Sequence, residues 1–74
     1  MERYVFDYRK LNGRIYEICG SKKKFAKSMG LSAASVSNKL TNKSYFSQKE
    51  IQKANEILDL KPGSISEYFF TRKL

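Results

Sequence analysis

The sequence predicts an all-α fold: a compact bundle of about five short helices. Three observations predict it. Apolar residues recur three and four positions apart in several short segments, the spacing that lines one face of a helix. Serine or aspartate stands where these segments open, and glycine or Pro62-Gly63 where they close. The chain has 74 residues, 41% of them hydrophobic, with five tyrosines and five phenylalanines. That is one domain at most, with enough apolar mass for a core and too much for a disordered tail.

Met1 to Phe6 alternate loosely and read as an extended arm or short strand. Asp7 can cap the first helix by accepting an orphan N–H. Leu11, Ile15, Ile18 and Cys19 give that helix its apolar face. Gly13 weakens it by up to about 1 kcal/mol, and close packing against a neighbouring helix is the expected compensation. Gly20 ends the segment. Ser21 caps a second helix over Lys22 to Met29, which buries Phe25, Ala26 and Met29. Gly30 follows where the chain must turn with positive φ. Leu31 belongs to the core within that turn. Ser32 caps a third helix over Ala33 to Leu40, with Val36 and Leu40 inward. Thr41 to Phe46 is a polar loop. Ser47-Gln48-Lys49-Glu50 is a capping box opening a fourth helix, whose inward face is Ile51, Ala54, Ile57 and Leu58. Pro62-Gly63 breaks the chain. Ser64-Ile65-Ser66-Glu67 reads as a second capping box, for a last helix ending near Phe70.

Charge narrows the partners. Fifteen Lys and Arg against seven Asp and Glu give a net charge of +8 and a pI near 9.8, which attracts nucleic acid or anionic lipid. One cysteine, Cys19, allows no internal disulfide. There is no histidine, hence no His-based metal site or acid–base chemistry, and no carboxylates are paired in a motif. The expectation is therefore no enzyme, no catalytic residues, no metal, no cofactor and no small-molecule substrate. No apolar run approaches the roughly 18–20 residues that cross a bilayer, and no apolar stretch follows Met1-Glu2-Arg3-Tyr4 to make a signal peptide. A cytoplasmic, nucleoid-associated protein of a bacterial host is expected.

Phe25-Ala26, Gly30-Leu31-Ser32 and Val36 form one constellation. Ala26 is small where the third helix crosses the second. Gly30 makes the turn that lets two helices meet at roughly 90–120°, and Val36 plugs the space behind them. These residues resemble the Xre/Cro/CI-type helix-turn-helix family, and within it the small Cro-like repressors of phages and prophages. The opening Tyr8-Arg9-Lys10-Leu11-Asn12-Gly13-Arg14-Ile15, the stretch Phe46 to Ile51 and the closing Glu67-Tyr68-Phe69-Phe70 carry the resemblance over nearly the whole chain. It implies a lambda-repressor-like single domain over residues 1–74, with the helix-turn-helix at about 21–40.

The resemblance also implies that the third helix enters the DNA major groove. Ser32, Ala33, Ala34, Ser35, Ser37 and Asn38 would then read bases, with Asn38 suited to adenine and an alanine to a thymine methyl. The helix has no arginine, so only Lys39 is left for guanine. Lys39 is also a departure, since the family has an apolar residue there and this chain has Leu40 one position later. No acid lies between Glu17 and Glu50, which puts the basic charge where phosphates would lie. Ser21, Lys22, Lys23, Lys27, Lys39, Asn42, Lys43 and Ser44 are the phosphate candidates. Tyr68, Phe69 and Phe70 cover the first helix and the arm, make a homodimer contact on DNA, or do both.

The leading expectation is sequence-specific binding of double-stranded DNA by a phage transcriptional regulator that represses by occupying its operator. The alternative is a protein-interaction module, such as an antitoxin or antirepressor, with little DNA affinity. RNA or membrane-surface binding ranks lower. The chain shows no exposed aromatics of the kind that read single strands, and its lysines cluster at a turn rather than along one amphipathic helix.

Overall fold

A computed structural model describes residues 5–73. Five α-helices run in the order α1 (Arg9–Cys19), α2 (Lys22–Met29), α3 (Ala33–Leu40), α4 (Gln48–Ile57) and α5 (Ile65–Phe69), with a single 3₁₀ turn at Pro62–Ser64 before the last. No strand forms among the described residues. Phe6 and Arg72 make one isolated antiparallel bridge, supported by Asp7 N–H to Thr71 O at 2.7 Å and Lys73 N–H to Val5 O at 2.8 Å. The arm expected at Met1 to Phe6 is thus tied to the C-terminal segment at Phe6; Met1 to Tyr4 lie outside the described residues.

α2 is the hub and packs on α1, α3 and α4, while α5 closes over α1. Phe25, Leu11, Ile15, Val36, Leu58 and Phe69 are the largest fully buried side chains. Each contributes on the order of 1.5–3 kcal/mol by leaving water. Aromatic rings extend the core toward the arm: Phe69 to Phe46 at 5.4 Å, Phe46 to Tyr8 at 5.9 Å and Phe6 to Tyr8 at 6.1 Å between centroids. The first two meet edge to face, the arrangement the ring quadrupole favours.

Local chemistry sets the helix bounds. Ser21, Ser32 and Ser47 each accept the N–H three residues on, and Glu50 completes the capping box by accepting the Ser47 N–H at 2.8 Å. Gly20 and Gly30 take left-handed backbone at φ 87° and 73°, as their stop positions require.

Four sequence expectations are corrected. Asp7 does accept an orphan N–H, from Arg9 at 3.0 Å, but it stands one residue ahead of the N-cap, which is Tyr8. Ile18 is 45% exposed, because the buried stripe of α1 is the narrower Leu11–Ile15 line. Nothing lies within 4 Å of where a Gly13 Cβ would be, so close packing does not explain that glycine. The second capping box does not form: Ser64 turns its hydroxyl back to Lys61 O at 2.9 Å, and Glu67 reaches Lys10 instead, at 2.6 Å. The 3₁₀ turn ahead of α5 leaves Ser64 without the extended backbone of an N-cap.

Candidate functional site

The corner made by α2, the Gly30 turn and α3 carries four lysines of α2 and no acid. Its frame is rigid. Leu31 N–H bonds Ala26 O at 2.9 Å, Ala26 is 2% exposed and Val36 is sealed behind the turn. This packing turns the start of α3 outward, with Ser32, Ala33, Ala34, Ser37 and Asn38 exposed and Ser35 half-buried. The Ser32 hydroxyl is partly committed: it accepts the Ser35 N–H at 3.0 Å and donates to Ser35 Oγ at 3.0 Å.

The lysines of α2 stand on the same corner. Lys23, Lys24 and Lys27 are exposed and Lys22 is half-buried. Four carboxylates elsewhere are taken: Asp7 by Arg9, Glu67 by Lys10, Glu17 by Arg14 and Glu50 by Lys39. No ion pair among the described residues engages an α2 lysine. Three of these lysines fill the first turn of the helix, where a positive charge opposes the dipole at a cost of about 0.3–1 kcal/mol each. Lys53 joins them from α4, since its Nζ lies 3.7 Å from where a Gly30 Cβ would be.

Between α2 and the start of α3 lies a shallow depression of about 530 Å³, lined by Lys23, Lys24, Ala26, Lys27, Leu31 and Ala33. The sequence points to Lys24 for phosphate contact through the run Lys22-Lys23-Lys24 but does not assign Lys53, Ala26 or Leu31 to a site; nothing local signals the apolar floor or the approach of Lys53.

Two phosphate candidates are engaged elsewhere. Lys39 Nζ lies 3.1 Å from Glu50 Oε1, donates to Tyr45 O at 3.1 Å and sits 6.0 Å over the Phe46 ring. Its side chain is only 14% exposed, so it is not held ready for guanine. Asn42 turns inward to the backbone of Phe6. Lys43 is exposed beyond the far end of α3, while Ser21 and Ser44 are half-buried.

The C-terminal aromatics do not form one contact patch. Phe69 is 1% exposed and belongs to the core, whereas Phe70 is half exposed. Tyr68 is half-buried, with Lys10 Nζ 5.0 Å from its ring centroid. Phe70 and Tyr45 rim a small aromatic hollow of about 270 Å³ with Phe6, Tyr8 and Phe46. Among the described residues no group of His, Cys, Asp and Glu comes together to hold a metal ion, and no helix is long and apolar enough to cross a membrane.

Fold and corner together define a small all-helical bundle with an uncompensated basic edge. The chain belongs to the family described as Protein of unknown function (DUF739), whose model matches residues 4–72. Among solved structures it is similar to the solution structure of the modulator of repression (MOR) of the temperate bacteriophage TP901-1 from Lactococcus lactis. The two are 46% identical over 88% of each chain, with a TM-score of 0.78. No curated protein matches the chain.

These matches correct the resemblance to the Xre/Cro/CI-type helix-turn-helix repressors. The family is DUF739, and the solved relative is described as a modulator of repression rather than a repressor. The physical reason is that Ala26, Gly30 and Val36 record how two short helices pack across a tight turn, a packing solution that does not by itself fix function.

Proposed function

We propose that this protein modulates repression in a temperate phage by binding a repressor protein, as an antirepressor-type interaction module. The observation that carries this reading is the 46% identity, over 88% of each chain, to a phage modulator of repression. The site chemistry supports it. The third helix lacks arginine, its one lysine is spent on Glu50, and the hydroxyls of Ser32 and Ser35 are bonded to each other. Of the side chains that make strong bidentate base contacts, this helix keeps only the exposed Asn38, with neither an arginine nor an unengaged lysine for guanine.

Direct contact with duplex DNA is the second reading. It is favoured by the unpaired lysines of α2 beside the exposed start of α3, a layout that attracts phosphates whatever the sequence. Chromatography of the protein mixed with a candidate phage repressor tests the first reading. A stable joint complex is expected. Separate elution of the two proteins, with tight binding of operator DNA by this protein alone, favours the second.

A further inference from the structure

We propose that the depression between α2 and α3 is a docking groove for an acidic amphipathic helix of a partner protein. The inference deepens the reading above, on which it rests for the partner being a protein. Its floor is apolar and low: Ala26, Leu31 and Ala33. Exposed Ala33 lets a helix backbone come close, and half-buried Leu31 offers apolar surface to an incoming side chain, with buried Ala26 beneath them. Its rim is cationic: Lys23, Lys24 and Lys27, none of them ion-paired among the described residues. The occupant that satisfies both features carries leucine or alanine along one helical face with glutamate or aspartate on its flanks. A helix laid in a groove presents that pattern, with apolar anchors three and four residues apart. Complementary charge at the rim sets its orientation and speeds encounter.

A nucleic-acid backbone fits the rim but not the floor. Phosphates would satisfy the lysines while leaving Leu31 and Ala33 against a charged, hydrated strand. The groove is also of a size, about 530 Å³, that suits a few side chains of a partner helix.

The test is amide chemical-shift mapping on the full isotopically labelled chain. One probe is a short helical peptide with leucine and alanine on one face and glutamate on both flanks. The second is the same peptide with serine in place of the apolar residues. The third is a short duplex of random sequence. The proposal expects the first peptide to saturate and to shift the amides of Ala26, Leu31 and Ala33 most. It expects the serine peptide to bind about tenfold more weakly. Lys23→Gln, Lys24→Gln and Lys27→Gln together should weaken the first peptide about tenfold, with circular dichroism unchanged. Leu31→Ser should weaken it without changing net charge. Equal binding of both peptides, shifts scattered over the surface, or duplex DNA displacing the peptide from these amides would overturn the groove.

Failure here is separable from failure of the functional reading. A peptide seated in the groove of a protein that ignores the repressor refutes only the function. A repressor complex formed equally well by the triple-glutamine chain, with no peptide binding, refutes only the groove.

Discussion

The Asn42 carboxamide holds the backbone of Phe6 from both sides: Oδ1 accepts the Phe6 N–H at 2.8 Å, and Nδ2 donates to the Phe6 carbonyl at 3.0 Å. This clasp fastens the N-terminal segment to the loop after α3. Asn42 also carries left-handed backbone at φ 66°, which asparagine tolerates better than most residues. Asn42→Ala removes two hydrogen bonds, each worth about 1 kcal/mol, and places at positive φ a residue that tolerates it less well than asparagine, for up to about 1 kcal/mol more. Urea denaturation should show a loss of about 2–3 kcal/mol for alanine and a smaller loss for Asn42→Gly. Equal stability of wild type and both variants would show that the clasp contributes nothing.

Lys39 and Glu50 join the last turn of α3 to the first turn of α4 at 3.1 Å. Glu50→Gln keeps an oxygen for the Ser47 N–H and loses the ion pair, so it should cost about 1 kcal/mol. Glu50→Ala also breaks the capping box and should cost about 1 kcal/mol beyond that. Denaturation at neutral pH should rank the three chains in that order.

The same carboxylates make acid the weak side of the stability profile. A hydrogen bond from the Arg9 side chain pulls Asp7 down to about 2. Partial burial pushes Glu50 up, but the Ser47 N–H and Lys39 together hold it below its ordinary value. A carboxyl whose folded pKa is depressed adds stability above its unfolded pKa, about 4, and loses it as pH falls through the folded value. Melting temperature should therefore hold above about pH 5 and fall from there toward pH 2. Asp7→Asn with Glu50→Gln should flatten that fall. A profile unchanged in the double variant would contradict the assignment.

Adjacent aromatics at the C-terminus should behave oppositely. Phe69→Ala empties a fully buried position and should cost about 3–5 kcal/mol, enough to unfold much of a chain this small. Phe70→Ala removes a half-exposed ring that meets Phe6 edge to face at 6.1 Å and should cost under about 1 kcal/mol. Circular dichroism melts of both variants distinguish the two roles.

The bounds around α2, α3 and the start of α4 were legible because capping is local. Ser21, Ser32, Ser47 and the glycines at 20 and 30 act on residues within four positions, so their signal survives in one dimension. What was not legible depends on which parts of the chain meet. Asn42 looks like a loop-tip polar residue until Phe6, thirty-six positions away, is brought beside it. Lys39 looks like a free lysine until α4 delivers Glu50. Ile18 fits the apolar period of α1, but the neighbouring helices cover only the Leu11–Ile15 line.

The site was half legible. The acid-free stretch from Glu17 to Glu50 announces the basic corner. Its apolar floor exists only once the Gly30 turn sets Leu31 and Ala33 against Lys23 and Lys27. The family was not legible from Ala26, Gly30 and Val36, since those residues encode a crossing of two helices and bundles with different partners share it.

Operator occupancy by the repressor, read by fluorescence anisotropy on labelled operator DNA while this protein is titrated in, tests the central claim most directly. The account predicts that occupancy changes in proportion to added protein and levels off at a fixed ratio to the repressor. It also predicts that the protein alone shows no preference for operator over random duplex. Selective binding of the operator by the protein alone, with the repressor's own affinity untouched, would contradict it.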